Sequence, residues 1–164
     1  MSLRIWKLTQ NFMGILIRNY ATATETPKVA VSEQLLLTLA SPDNAYYKNE
    51  IVKQVDIPTM SGNVGLLAKH VPLLAVLKPG VVKVHAEDGT SRSLFVSSGT
   101  LSMNIDGTCQ VLAEEICPLE DIDMEAVRAE LDDAQRRLSS STNEMEKAQA
   151  SIAIEVCEAL SRAV

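Results

Sequence analysis

Residues 55–83 read VDIPTMSGNVGLLAKHVPLLAVLKPGVVK, and the parsing of this stretch decides the fold. Three glycines (Gly62, Gly65, Gly80) and three prolines (Pro58, Pro72, Pro79) punctuate β-branched and leucine residues at intervals too short for a helix. Gly62 and Gly65, three apart just after Pro58, place a sharp turn or a positive φ there. Leu66-Leu67 and residues 73–77 then read as short buried strands, and Pro79-Gly80 as a turn before a strand over residues 81–86. Pro72 and Pro79 cannot donate to a sheet ladder, so these strands are short or lie at edges. The pattern predicts a compact all-β module with a shaped loop from Ser61 to His70.

The flanks continue in the same period. Residues 33–39 form an apolar strand that ends at the turn-rich tetrad Ser41-Pro42-Asp43-Asn44. Residues 50–57 alternate, with Ile51, Lys53 and Val55 on one face and Val52, Gln54 and Asp56 on the other, closed by Pro58. Further strands over 91–97, 100–105 and 108–113 follow at short spacing. Asp88-Gly89 and Asp106-Gly107 mark hairpin turns. Leu101, Met103 and Ile105 alternate with Ser102 and Asn104, so that sheet has one dry face and one wet face. Evenly spaced short strands of this kind make a sandwich or a flattened barrel.

After Pro118 the period changes. Met124, Val127, Leu131, Ala134 and Leu138 form one helical stripe, and Met145, Ala148, Ile152, Val156 and Ala159-Leu160 form a second. Asp121, Asp123 and Glu125 crowd the start of the first helix while Arg136 and Arg137 sit at its end, matching the helix dipole. Asp132–Arg136 and Asp133–Arg137 have i,i+4 spacing. Residues 139–143 break the pattern, and Ser141-x-x-Glu144 reads as a capping box for the next helix. Two helices with one narrow, alanine-rich stripe each predict an antiparallel hairpin that docks onto something else. The expected architecture is thus an N-terminal antiparallel β-sandwich over residues 33–118 and a C-terminal two-helix hairpin over residues 119–164.

The first twenty residues differ from all of this. They carry Arg4, Lys7 and Arg18 and no acidic residue, with apolar positions that form one face of a basic helix. Their longest apolar run is far short of the ~20 residues needed to span a bilayer. A mitochondrial presequence over 1–20, ending at Tyr20–Ala21, followed by an extension over 21–32, is the expectation. Without that segment the chain has 144 residues, with 12 basic against 21 acidic, a net charge of −9. That balance argues against nucleic acid or an anionic membrane as partner. Aromatic residues make up only 4% of the chain, which disfavours a base- or sugar-stacking site. Cys109, Cys117 and Cys157 are odd in number and lack CxxC spacing, which suits a reducing compartment.

No catalytic constellation is visible. His70 and His85 are the only histidines, at spacings from the cysteines that no common zinc motif uses. GNVG is not a phosphate-binding loop because no Gly-Lys-Ser/Thr follows. No metal, cofactor or catalytic residue is expected.

The order Pro58, Gly62-x-x-Gly65-Leu66-Leu67, His70-x-Pro72-Leu73-Leu74 and Leu77-Lys78-Pro79-Gly80 resembles the small central-stalk subunits of F-type ATP synthases, called delta in mitochondria and epsilon in bacteria. Ser97-Ser98-Gly99-Thr100 falls where that family has a glycine-containing bend. The resemblance implies a non-catalytic rotor subunit. Its sandwich would bind the gamma shaft and sit on the membrane ring of c subunits, and its hairpin would lie near the small mitochondrial epsilon subunit. It would reside on the matrix face of the inner mitochondrial membrane. By resemblance, the partner-binding residues are Ser61, Gly62, Asn63, Gly65, Leu66, Lys69 and His70. Some bacterial relatives bind ATP through an Ile/Leu-Asp-x-x-Arg-Ala pattern. Here Ile122-Asp123 is followed by Met124-Glu125-Ala126-Val127, and Arg128-Ala129 comes two positions late, so nucleotide binding is not expected. The rival readings are a matrix β-sandwich module for a small ligand or acyl group, unrelated to ATP synthase, and an unrecognised matrix enzyme.

Overall fold

A computed structural model describes residues 33–164; the presequence and extension expected over 1–20 and 21–32 lie outside the described residues. Ten strands come first: β1 (Leu35–Ala40), β2 (Ala45–Val52), β3 (Gln54–Thr59), β4 (Gly62–Leu67), β5 (Leu73–Leu77), β6 (Gly80–His85), β7 (Ser91–Val96), β8 (Gly99–Met103), β9 (Thr108–Ala113) and β10 (Ile116–Pro118). A 3-10 turn over Leu119–Asp121 leads to two helices, α1 (Met124–Ser140) and α2 (Glu144–Ala163). The expected order of a β-sandwich followed by a helical hairpin is what the chain adopts.

The strands form one hydrogen-bonded sheet in the order β10-β7-β6-β3-β5-β8-β9-β1-β2, with β4 paired to β3 off this path. The sheet doubles over because three neighbouring strand pairs turn a corner together. β5 runs into β6 at Lys78-Pro79, β7 into β8 at Ser97-Ser98, and β9 into β10 at Glu114-Glu115. Pro79 has no N–H to continue a ladder. At the middle corner, a Cβ on Gly99 would lie 2.1 Å from the backbone oxygen of Leu112, so only glycine fits. Ser97 N donates to Glu115 O (3.1 Å) and Glu114 N to Ser98 O (2.9 Å), which keeps the bent strands paired through the corner.

Between the two leaves lies the core. Leu35, Leu37, Leu39, Val55, Ile57, Leu77, Val82, Val84, Leu94, Val96, Leu101 and Val111 are all essentially without solvent contact. They recur at alternate positions because successive strand residues face opposite sides. The Asp-Gly turns join the strands as expected. Gly89 and Gly107 have φ of +87° and +88°, and Asp88 and Asp106 each accept from the amide and hydroxyl two residues on.

Several details depart from expectation. The alternating strand over 50–57 is two strands, broken at Lys53, whose N–H turns to His85 O (2.9 Å). The break adds one residue to the period, so Val52 and Val55 are both buried while Ile51 is 43% exposed. The sandwich is not purely antiparallel, since β1 pairs parallel with β9. Finally, α2 is not opened by the capping box. Asn143 caps it, accepting from Met145 N (3.0 Å), while Ser141 Oγ donates to Glu146 Oε2 (2.7 Å).

In the hairpin, Asp123 caps α1 through Glu125 N and Ala126 N. Arg137 pairs with Asp133 (2.8 Å) as expected, and also with Glu130. Arg136 reaches Asp133 (3.9 Å) rather than Asp132. The residues buried along the helices are Val127, Ala134, Ala150, Cys157 and Ala159. On α2 this differs from the expected stripe: Met145 and Ile152 are 69% and 62% exposed. The C-terminal part of α2 docks beside β6, with Lys78 Nζ 3.6 Å from Glu155.

Candidate functional site

The expected loop from Ser61 to His70 is mostly strand. β3 and β4 pair antiparallel at six positions, from Gln54–Leu67 to Thr59–Gly62. The turn between them is held by Thr59, whose buried hydroxyl donates to Gly62 O (2.6 Å) and lies 3.1 Å from Ser61 Oγ. Gly62, at φ +127°, supplies the conformation that closes it. Met60 stands 67% exposed at the tip while its N–H donates to Val76 O (3.0 Å), tying the tip to β5. Pro58, which cannot donate, packs its ring where a Cβ on Gly80 would be 3.2 Å away.

This geometry separates the predicted contact residues. Ser61, Gly62 and Asn63 are exposed at the tip. Lys69 and His70 lie beyond the other end of β4. From Asn63 to Leu67 the strand runs ~13 Å at ~3.3 Å per residue, and Lys69 lies in the turn beyond it, so Asn63 and Lys69 stand at opposite ends of β4. Leu66 is fully buried and belongs to the core, because β4 turns alternate side chains inward. Gly65 faces outward, with its Cα side against Asp56; a Cβ there would be 3.0 Å from Asp56 Oδ1. Lys69 adopts φ +63° and its ammonium bonds Glu33 Oε1 (2.8 Å), which together with the lysine charge holds the Glu33 carboxyl below its usual range. His70 Nδ1 sits 2.8 Å from the backbone oxygen of Val71.

Around Gly65 the outer face of the β4-β3-β6 leaf is polar. Gln54 Nε2 donates to Asp56 Oδ1 (2.6 Å), and His85 Nε2 lies 3.0 Å from Asp56 Oδ2. Burial acts to raise the Asp56 pKa, but the bonds from Gln54 and His85 and the charges of His85 and Lys83 outweigh it, leaving the carboxyl below its ordinary value. Burial pushes the Cys109 thiol up to about 12 and raises those of Cys117 and Cys157, so none is set up as a nucleophile.

The outer face of the other leaf is the reverse, and the sequence reading missed it. On β5, Leu74 and Val76 are 78% and 58% exposed; the strand is not buried on both faces. Val76 pairs with Thr100, Thr100 with Leu112, and Leu112 with Ala40, so one row runs across four strands. Leu112 is half exposed, and a shallow apolar hollow lies beside it between Ala40, Pro42 and Ala113. An outward apolar cluster of this kind is a candidate protein-binding face. The signal was in LLAVL: apolar residues at both strand parities call for cover on both faces.

The described chain also resembles known proteins along nearly its whole length. A sequence model described as ATP synthase, Delta/Epsilon chain, beta-sandwich domain matches residues 34–118. The chain is 55% identical over 154 residues to ATP synthase subunit delta, mitochondrial, of Caenorhabditis elegans, covering 94% of this chain and 93% of the relative. It is 40% identical to the subunit of the same name from Agaricus bisporus, over 82% of each. Among solved structures, a chain of the Euglena gracilis mitochondrial ATP synthase, determined as OSCP/F1/c-ring, superposes with a TM-score of 0.74 at 32% identity, over 81% of this chain and 82% of that one. A chain of the Tetrahymena thermophila mitochondrial ATP synthase central stalk/c-ring shares the fold at 17% identity, with a TM-score of 0.59, over 81% of this chain and 98% of that one. The polar and apolar faces described above are therefore carried by a chain that belongs to the delta/epsilon family of ATP synthase subunits.

Proposed function

We propose that this chain is a non-catalytic rotor subunit of mitochondrial F-type ATP synthase, which joins the gamma shaft to the membrane c-ring and passes proton-driven rotation toward ATP synthesis. The observation that carries the reading is the exposed apolar cluster of Leu74, Val76 and Leu112, on a sandwich of this family. That face takes the gamma shaft. The tip at Ser61, Gly62 and Asn63 takes the polar loops of the ring, while Lys69 and His70, at the other end of β4, face away from it. The exposed stripe of Met145 and Ile152 on α2 turns toward the small epsilon subunit. No described helix is long and apolar enough to cross a membrane, and the subunit meets the matrix face of the inner membrane through its partners. The mechanism is mechanical: torque enters and leaves through these faces, and catalysis resides on other chains.

The test replaces Leu74 and Val76 together by glutamate. Both side chains are exposed in the free subunit, so melting is expected to move little, by ~0.5 kcal/mol or less. Association with gamma and recovery with the oligomycin-sensitive ATPase are expected to fall. Undiminished recovery of the double variant in the complex refutes gamma binding at this face. Asn63→Glu is expected to weaken ring association while Lys69→Glu leaves it intact; equal effects of the two would refute the separation of the two ends.

A further inference from the structure

The last turn of α1 carries a short basic motif that the stalk reading leaves unused: Arg136-Arg137-Leu138-Ser139, followed by Ser140, Ser141 and Thr142. Serine kinases with an acidic substrate groove select a serine with arginines two and three residues before it, because the planar guanidinium fork pairs with carboxylates at fixed geometry. We propose that Ser139 is the phosphoacceptor of such an arginine-directed kinase, and that its phosphorylation opens the last turn of α1. The inference stands independently of the rotor role.

Accessibility favours it. Ser139 is exposed, and the Arg136 and Arg137 side chains are 75% and 49% exposed. Both arginines are held only by surface ion pairs to Asp133 and Glu130, which give way easily to a competing carboxylate. A kinase groove takes its substrate extended, so the turn must unwind locally. Here that costs little packing. The segment lies at the hairpin tip, directly before the connection to α2, and only Leu138 is half-buried within residues 136–140. The buried contacts of Ala134 and Ala150 lie outside it.

The hydrogen bonding gives the modification a consequence. Ser139 Oγ and Ser140 Oγ both donate back to the carbonyl oxygen of Arg136, each at 2.9 Å, within the last turn of the helix. In the transfer, Ser139 Oγ attacks the γ-phosphorus of kinase-bound magnesium-ATP. The Oγ–P bond forms as the bond from that phosphorus to the β,γ-bridging oxygen breaks. ADP departs, and the hydroxyl proton passes to the kinase's carboxylate base. The proton lost is the one that Ser139 donates to Arg136 O. A donor at the carbonyl end of α1 is thereby replaced by a group of nearly two negative charges, where the helix dipole opposes anions. Asp132 borders the same surface hollow as Ser139 and adds repulsion, whereas Arg136, also on that hollow, offers the phosphate a partner once the turn has opened.

The full folded chain is to be incubated with magnesium-ATP and the catalytic subunit of cyclic-AMP-dependent kinase, an enzyme of this specificity, and the product mapped by peptide mass spectrometry. One phosphoryl group on Ser139 is expected. It is lost in Ser139→Ala and kept in Ser140→Ala. Lysine in place of both Arg136 and Arg137 is expected to slow incorporation by about tenfold, the loss of one charge-assisted hydrogen bond's worth of binding. No incorporation into the folded chain, or incorporation at Ser140, Ser141 or Thr142 instead, overturns the assignment. Amide hydrogen exchange of the modified chain reads the second half: faster exchange over residues 138–142, with residues before Ala134 unchanged, supports opening of the turn. Unchanged exchange throughout overturns it.

Discussion

The sandwich and the helical hairpin are both held by buried apolar groups, but the groups differ in size. The sandwich encloses leucines, valines and isoleucine drawn from nearly every strand. The hairpin buries Val127, three alanines and Cys157, while Met145 and Ile152 point to solvent. At ~0.8 kcal/mol per buried methylene, an alanine contributes a fraction of what a leucine does. Small residues do allow the helices to approach closely, which favours one geometry over great stability. The difference teaches that a single chain can pair a stiff body with a loosely held appendage, using side-chain volume alone.

The comparison is broken most directly at Leu101, which is fully buried between the leaves. Leu101→Ala is expected to lower the stability of the sandwich by about 2–5 kcal/mol in denaturant titration followed by β-sheet circular dichroism. A loss below about 1 kcal/mol would show that large side chains do not set its stability. In the hairpin, Ala134→Gly is expected to cost about 1 kcal/mol, seen as faster amide exchange confined to α1 and α2. Spread of that effect into β5 or β8 would mean that the two parts melt as one. Removing residues 121–164 sharpens the same point. The remaining sandwich is expected to keep a cooperative, β-rich melting transition, and an unfolded or aggregated product would place part of its core in α2.

The smallest effect concerns acid. Asp56 is ionised more readily in the fold than in an unfolded chain. Its contribution is therefore present above the unfolded carboxyl's pKa of about 3.9 and is lost as pH falls through the lower folded value. Asp56→Asn is expected to be less stable than the parent at neutral pH by about 0.5 kcal/mol or less, since the pair is partly exposed and screened. The gap should close as pH falls through the lowered folded value. A gap that widens on acidification would reverse the sign of the coupling.

Much of this architecture can be read from residues alone, for identifiable reasons. Asp88-Gly89 and Asp106-Gly107 announce their hairpins because the left-handed conformation they need is local chemistry. The change of period after Pro118 announces the helices because 2.0 and 3.6 repeats cannot be confused over that length. Other features are set by partners distant in sequence. Gly62, Asn63 and Gly65 are poor strand formers, yet β4 forms because β3 offers it a full ladder. The extra residue at Lys53 is invisible until the chain leaves β1, which β2 pairs, for β6, which β3 pairs. On α2 two apolar stripes compete, and the one containing Ala150 and Cys157 faces inward because its smaller side chains fit between closely packed helices. The candidate gamma face was hidden in LLAVL for a related reason, since a strand apolar on both sides is indistinguishable from one buried within its own chain.

The three corners at Lys78-Pro79, Ser97-Gly99 and Glu114-Glu115 bear on how the body carries load. Two leaves joined only by interlocking side chains can slide past one another, because dispersion contacts re-form after a small shift. Here three adjacent strands cross from one leaf to the other, and their hydrogen bonds run through the bend. Sliding the leaves would stretch covalent backbone and shear those bonds together. Under a twisting force applied at the tip of β4 and resisted at the β5 face, the sandwich has little compliance of its own. Elastic deformation then falls to whatever it is bolted to.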